Sequence, residues 1–339
     1  SRGIPSSHEM MVGISNHGWQ QQVPIPQCYF GSNSWSIPLN PALASNPIPV
    51  DQMHFTRGAI AIAVNGVPIF NPHTNTGVDA LADGQLDNYG GHSGKGDDYH
   101  YHTAPLHLYN QTTSTLPIAY AFDGFAVFGG LEPDGISMTA LDANHGHFYN
   151  GTYHYHGTTT YPYMIANMVG QVTEDATNQL IPQASAHPVR TENWTPLNGA
   201  LITSCTPNTT NNGYNLTYSL NGTIGYATNY SWNGSTYTFD YVTPSSNNQI
   251  NYNGFVQCDN LLSIATNFNS NHLSVIFPNP FSDKITISKP GKNDWYTLTN
   301  SFGMVIYSGK NIQEQNFSKL APGNYYLKIN NTLFKLVKQ

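Results

Sequence analysis

Charge is scarce in this chain. Only 9% of its 339 residues are Asp, Glu, Lys or Arg, and the 12 basic residues are outnumbered by 19 acidic ones. No basic face awaits a phosphate backbone, so nucleic acid is not expected as a partner. Long apolar runs are missing too: none reaches the 18 residues that a membrane-spanning helix needs, so no membrane span is expected. Cysteine occurs three times, at Cys28, Cys205 and Cys258, widely separated and never as Cys-x-x-Cys, which argues against a thiolate metal site. His-Glu-x-x-His and Gly-x-Ser-x-Gly are both absent, so neither a zincin helix nor a serine-hydrolase elbow has support.

What the chain does have is glycine, proline, tyrosine and small polar residues in quantity. That balance fits a turn-rich, mainly β extracellular protein better than a cytosolic helical one. The length allows about two or three domains. The sequence as given opens Ser1-Arg2-Gly3-Ile4 with no basic and apolar leader, so the expectation is a mature chain whose signal peptide has been removed. A copper brace built on an N-terminal histidine is not expected from a chain opening with Ser1.

One unusual phrase occurs twice between Gly90 and His156. The first copy carries Gly91-His92 and then Asp97-Asp98-Tyr99-His100-Tyr101-His102; the second carries His145-Gly146-His147 and then Tyr153-His154-Tyr155-His156. In an extended strand successive side chains face opposite ways, so His100 and His102 share one face and Tyr99 and Tyr101 the other, and likewise His154 and His156. Two such strands facing each other would converge four imidazoles on one point, with His92, His145 and His147 as further ligands. Burying so many imidazoles without a partner for each ring nitrogen is costly, so metal binding is expected ahead of a purely hydrogen-bonded cluster. Imidazole ligands indicate copper, with zinc as second choice. Asp97, Asp98 or Asp123 would orient a ligand from behind, because metal-bound imidazole ordinarily donates its other N–H to a carboxylate or carbonyl. A turn-forming role for these acids is the alternative. The alternating tyrosines are expected in a core or on a sheet face.

The rest of the chain organises around this segment. Residues 1–34 are a polar extension. Ala59 to Val64 reads as a buried strand, Asn65-Gly66 as a hairpin turn, and Pro68 argues that the returning strand is an edge or bulged one. Asp79, Asp83 and Asp87, at four-residue spacing, suggest the solvated face of a short helix. Strands on either side of Asp123-Gly124 would separate the two histidine strands and give residues 35–190 an internal pseudo-repeat. A short helix is expected at Met164 to Val169. Residues 191–262 alternate polar and aromatic side chains between turns at Asn221-Gly222 and Asn233-Gly234, a β-sandwich-like module or a continuation of the first sheet. Cys205 and Cys258 bracket it and form the natural disulfide, leaving Cys28 over, although three cysteines allow other pairings.

The doubled Tyr-His-Tyr-His, with Gly90-Gly91-His92 before the first copy and Ala121-Phe122-Asp123-Gly124-Phe125 between the two, resembles the YHYH domain, a bacterial family, over about Trp35 to Tyr163. That resemblance implies a domain and no established reaction. Residues 272–339, with Phe277-Pro278-Asn279-Pro280, Asn300-Ser301-Phe302-Gly303 and Pro322-Gly323-Asn324-Tyr325-Tyr326-Leu327, resemble the C-terminal sorting domain of type IX secretion substrates in Bacteroidetes, a small β-sandwich. Eight of the 12 basic residues lie there. This second resemblance implies export by the type IX machinery to the cell surface, removal of the domain, and attachment of the remainder to surface lipopolysaccharide or its release.

Three readings of function follow: a secreted metal-binding protein, an extracellular metalloenzyme of copper-oxidase or zinc-hydrolase type, or a surface adhesin whose histidines only support the fold. A metalloenzyme would need a general base beside an open coordination position, and Glu132 and Glu174 are candidates only by default.

Overall fold

The computed structural model describes residues 10–16, 23–29, 31–192, 195, 197–254, 276–288, 290–291, 294–300, 305–330 and 332–339. It is mainly β, as the composition implies, and divides into two compact units, Ser1–Leu262 and Ser263–Gln339.

The first unit is built on an eight-stranded sheet. Its strands are β2 (Ala59–Ala63), β3 (Pro68–Phe70), β4 (Gly91–Ser93), β5 (Tyr99–Tyr101), β6 (Ala119–Ala121), β7 (Ala126–Phe128), β8 (Gly146–Tyr149) and β9 (Thr152–His156), in the order β4-β5-β3-β2-β6-β7-β9-β8. That order is a palindrome of two four-strand halves, each a hairpin followed by an outer pair. In each half the histidine strand runs parallel to the returning strand of the hairpin, Ile69 opposite Tyr101 and Val127 opposite Tyr155. The expected pseudo-repeat is therefore present, its two halves meeting where β2 pairs antiparallel with β6.

The Asn65-Gly66 turn joins β2 to β3 as its dipeptide implies. Pro68 is the first residue of β3, a strand flanked on both sides, so its missing N–H is tolerated by position and not by lying at an edge. Two further pairs flank the sheet: β1 (Leu43–Pro49) with β10 (Asn167–Gly170), and β11 (Thr173–Glu174) with β12 (Leu180–Ile181). The helix expected at Met164 to Val169 is not formed. Met164, Ile165, Met168 and Val169 are all buried, and Met168 pairs with Ile48 of β1, so an apolar run covered on every side is used as turn and strand. Asp79 caps a turn through the N–H groups of Leu81 and Ala82, with no solvated helix face behind it, and Asp87 is buried.

Residues 200–253 form a second sheet, an antiparallel meander of β13 (Ala200–Pro207), β14 (Tyr214–Leu220), β15 (Thr223–Trp232), β16 (Thr236–Thr243) and β17 (Ser246–Asn253). Asn221 and Gly222 both adopt the left-handed conformation that a two-residue turn between β14 and β15 requires. The inward side chains of this meander, including Leu216, Tyr230, Tyr237 and Phe239, belong to the same buried core as Ile60, Tyr99, Tyr155 and, from the N-terminal extension, Met11, Ile14 and Ile25. The Cys205–Cys258 disulfide is not formed: Cys205 is a thiol buried in this core on β13, Cys28, expected to be left over, is disulfide-bonded, and Cys258 lies outside the described residues.

The second unit has β18 (Ile276–Phe277) paired with β19 (Thr286–Ile287), and a four-stranded sheet of β20 (Tyr296–Asn300), β21 (Val305–Gly309), β22 (Gly323–Ile329) and β23 (Thr332–Lys338). Phe281, Ile287, Leu298, Leu327 and Leu336 share its core. Ser301, Phe302 and Gly303 of the Asn300-Ser301-Phe302-Gly303 motif lie outside the described residues. Among the described residues no helix is long and apolar enough to cross a membrane.

Candidate metal centres

Strand alternation places the histidines and tyrosines as their period demands. Tyr99, Tyr101 and Tyr155 are fully buried toward the core, and their hydroxyls are satisfied there. Tyr99 donates to Asp87 at 2.6 Å, Tyr155 to Asp123 at 2.5 Å, and Tyr101 accepts from Asn65 Nδ2 at 3.0 Å. Burial pushes the Tyr99 and Tyr155 phenols well above their ordinary range, and the neighbouring carboxylates add to it. These are packing residues.

On the opposite face the histidines gather into two groups, where sequence alone suggested one. The outer position of each histidine strand is the reason: β5 and β9 stand five places apart in the sheet, which at about 4.8 Å per strand separates them by roughly 24 Å.

The first group is His92, His100 and His102. Each Nδ1 donates to a backbone carbonyl: His92 to Gln85 at 3.1 Å, His100 to Asp98 at 2.9 Å, and His102 to Asn71 at 2.5 Å. A carbonyl only accepts, so the single proton of each neutral ring is on Nδ1 and each Nε2 carries a bare lone pair. The three Nε2 atoms then face one another at 3.1, 3.1 and 3.2 Å. No hydrogen bond can join three lone pairs, and a cation between them could be held by all three. Nitrogens bound at ~2.0–2.1 Å to one tetrahedral ion stand about 3.3 Å apart, close to the spacing found. All three rings are buried, and Phe70 stacks on His100 at 3.9 Å. Burial, helped by His100 next to it, pulls His102 down to about 3, which keeps that ring neutral.

The second group is His147, His154 and His156 with Glu132. Nε2 of His154 lies 3.0 Å from Nε2 of His156 and 3.0 Å from Glu132 Oε2; His147 Nε2 lies 3.0 Å from Oε1. His156 Nδ1 donates to Gly129 O at 2.6 Å, the counterpart of His102 and Asn71 O. His147 Nδ1 lies 3.4 Å from Ala140 O, which only accepts, so its proton sits there and its buried Nε2 faces Glu132 without one. Burial pushes the Glu132 carboxyl up, but contact with His147 and the charge of His156 bring it below the ordinary glutamate value. It is a carboxylate, and fully buried.

The two groups are counterparts in the repeat. His92 and His147 lie across from His100 and His154 in their hairpins. Gly91 and Gly146 occupy equivalent places, where a Cβ would run into the hydroxyl of Tyr99 or Tyr153 on the neighbouring strand. Gly90 and His145 are equivalent too, both left-handed, and each offers its carbonyl to the last histidine of its motif.

That correspondence explains the expected ligands that do not join. His145 fills the Gly90 turn position, and its ring bonds to the Thr158 hydroxyl at 3.0 Å and is not a member of the Glu132, His147, His154 and His156 group. Asp97 pairs with Arg190 and, among the described residues, touches no imidazole. Asp123 holds Tyr155 and the N–H of Gly170. Asp98 alone of the three stands behind a grouped imidazole, through its carbonyl and with a carboxylate oxygen 3.6 Å from His100 Nδ1. Glu132, considered before only as a default base, is a member of the second group, whereas Glu174 is in neither group. The signal for Glu132 was the repeat itself: Phe70-Asn71 and Phe128-Gly129 align, and the same step carries Thr74 onto Glu132.

A duplicated β-sheet carrying one three-histidine group per half, followed by a small separate β unit, defines the class. Residues 34–135 match the family model described as YHYH protein, and residues 275–339 match the secretion system C-terminal sorting domain. The chain thus carries a YHYH domain and a type IX sorting domain that addresses it for secretion. No curated protein and no solved structure matches it.

Proposed function

We propose that this exported chain is a metal-binding protein with two centres, one held by His92, His100 and His102 and the other by Glu132, His147, His154 and His156. The observation that carries the reading is the geometry of the first group: each Nδ1 lies against a carbonyl, which only accepts, and the three Nε2 atoms stand 3.1–3.2 Å apart. A cluster built only for support would place hydrogen-bond donors among those nitrogens. The donor set is imidazole and carboxylate with no sulfur, which suits divalent copper, or zinc after it. Removal of residues 272–339 during export, with the remainder attached to surface lipopolysaccharide or released, belongs to the same proposal.

Elemental analysis of full-length protein purified without a histidine tag tests it. Two ions per chain are expected in the wild type, one in H100A/H102A and one in H154A/H156A. A wild-type chain that takes up no ion, or a double variant that still holds two, would refute the assignment.

A further inference from the structure

Four of the chain's basic side chains, Arg2, Arg57, Lys95 and Arg190, precede residue 263. Arg190 is buried against Asp97. Arg57 and Lys95 are exposed, and both line a cleft of about 280 Å³ in whose wall lie His92, His100 and His102. Among the described residues Asp98 is the one carboxylate lining the same cleft. So in a unit poor in cations, two border the first histidine group.

The second half of the repeat shows what is different about the first. Thr74 and Glu132 occupy the same turn: each donates its N–H to the residue four further on, Val78 or Ile136, and accepts from the glycine three further on, Gly77 or Gly135. Glu132 supplies a fourth ligand atom to its histidines. Thr74 lines the cleft, and its short hydroxyl bonds to Thr76 at 2.8 Å.

We infer that the first centre is a ligand-binding centre for a phosphate group, free or as a phosphate monoester. A three-histidine set leaves a tetrahedral ion one position short. An anionic oxygen entering by the cleft completes it, and Arg57 and Lys95 take up the remaining charge of the group. The second centre, closed by Glu132, has no such role. The inference rests on the metal-binding reading and adds a ligand to one of its two sites.

The test uses the full chain loaded with Co(II), whose visible absorption reports its coordination, titrated with inorganic phosphate. Expected are a saturable spectral change in the wild type and in H154A/H156A, about tenfold weaker binding in R57A/K95A, and no change in T74E, where the new carboxylate closes the first centre. Cobalt content stays at two per chain in R57A/K95A. The inference is overturned alone if the chain holds two Co(II) and phosphate leaves the spectrum untouched, or if R57A/K95A binds phosphate like the wild type. A chain that takes up no Co(II) overturns the metal reading and this inference with it. Because Arg57 and Lys95 are both exposed, their loss does not threaten folding.

Discussion

Arg190 grips Asp97 at two points, Nε to Oδ2 at 3.1 Å and Nη2 to Oδ1 at 2.5 Å, with both side chains buried. Its Nη1 reaches the hydroxyl of Tyr241 on β16 at 3.3 Å, and its guanidinium lies 4.9 Å from the ring centre of Phe239. Burial works against the charge on Arg190, but Asp97 and Tyr241 more than restore it, so its pKa ends above the ordinary value. This pair fastens the turn that precedes the first Tyr-His-Tyr-His to the five-stranded meander. Asp97 was expected to serve an imidazole; it serves the fold instead.

Removing one partner of a buried pair strands the other's charge, at a cost of about 3–5 kcal/mol. Arg190→Ala is therefore expected to lower unfolding free energy by that amount in urea titrations, while D97L/R190M recovers most of it. A loss under about 1 kcal/mol for Arg190→Ala would show that the pair does not hold the turn.

Acid should destabilise the metal-free protein. His102 lies at about 3 in the fold, chiefly through burial, and burial likewise lowers His107, His145, His154 and His156. Each group binds its proton less readily folded than unfolded. The stability they contribute is thus complete above the unfolded histidine pKa of about 6.5 and is lost as pH falls from there toward the folded values. Thermal unfolding of chelator-treated protein should show a midpoint that is flat between pH 7 and 8 and drops steadily from pH 6.5 to 4. A midpoint that rises over that acid range would contradict the neutral-ring assignment.

Glu132→Gln keeps the shape of the second centre and removes its charge. Metal affinity there should fall at least about 10- to 100-fold, the loss caused by altering even an outer partner of a metal ligand, and the first centre should be untouched. Competition with a chromogenic chelator resolves the two sites. Equal weakening of both would mean that Glu132 acts through global stability.

His145→Ala should leave metal content at two ions per chain, since its ring bonds to Thr158 and its backbone does the work of Gly90. Loss of an ion in this variant would put His145 back among the ligands.

Gly91→Ala should be costly for a different reason. The added methyl meets the Tyr99 hydroxyl at 2.6 Å and the His100 carbonyl at 2.7 Å, and overpacking of that kind costs about 1–3 kcal/mol. Weaker metal uptake at the first centre with the second intact is the expected readout.

The sequence by itself determined whatever depends on neighbours along the chain. Period two put His100 and His102 on one face with Tyr99 and Tyr101 on the other, and Asn65-Gly66 and Asn221-Gly222 set their turns, because alternation and left-handed backbone are local properties. Only the tertiary structure decided what those faces meet. Each histidine strand enters the sheet by a parallel crossover and ends up near its own edge, so the imidazoles gather in two groups, and Glu132 arrives from a turn 22 residues before His154. Strand order also gave Asp97 to Arg190, Asp123 to Tyr155, and Cys205 to the core. Such pairings come from how distant segments stack to bury apolar area and satisfy buried polar groups, and no spacing along one strand records which segment will lie alongside it.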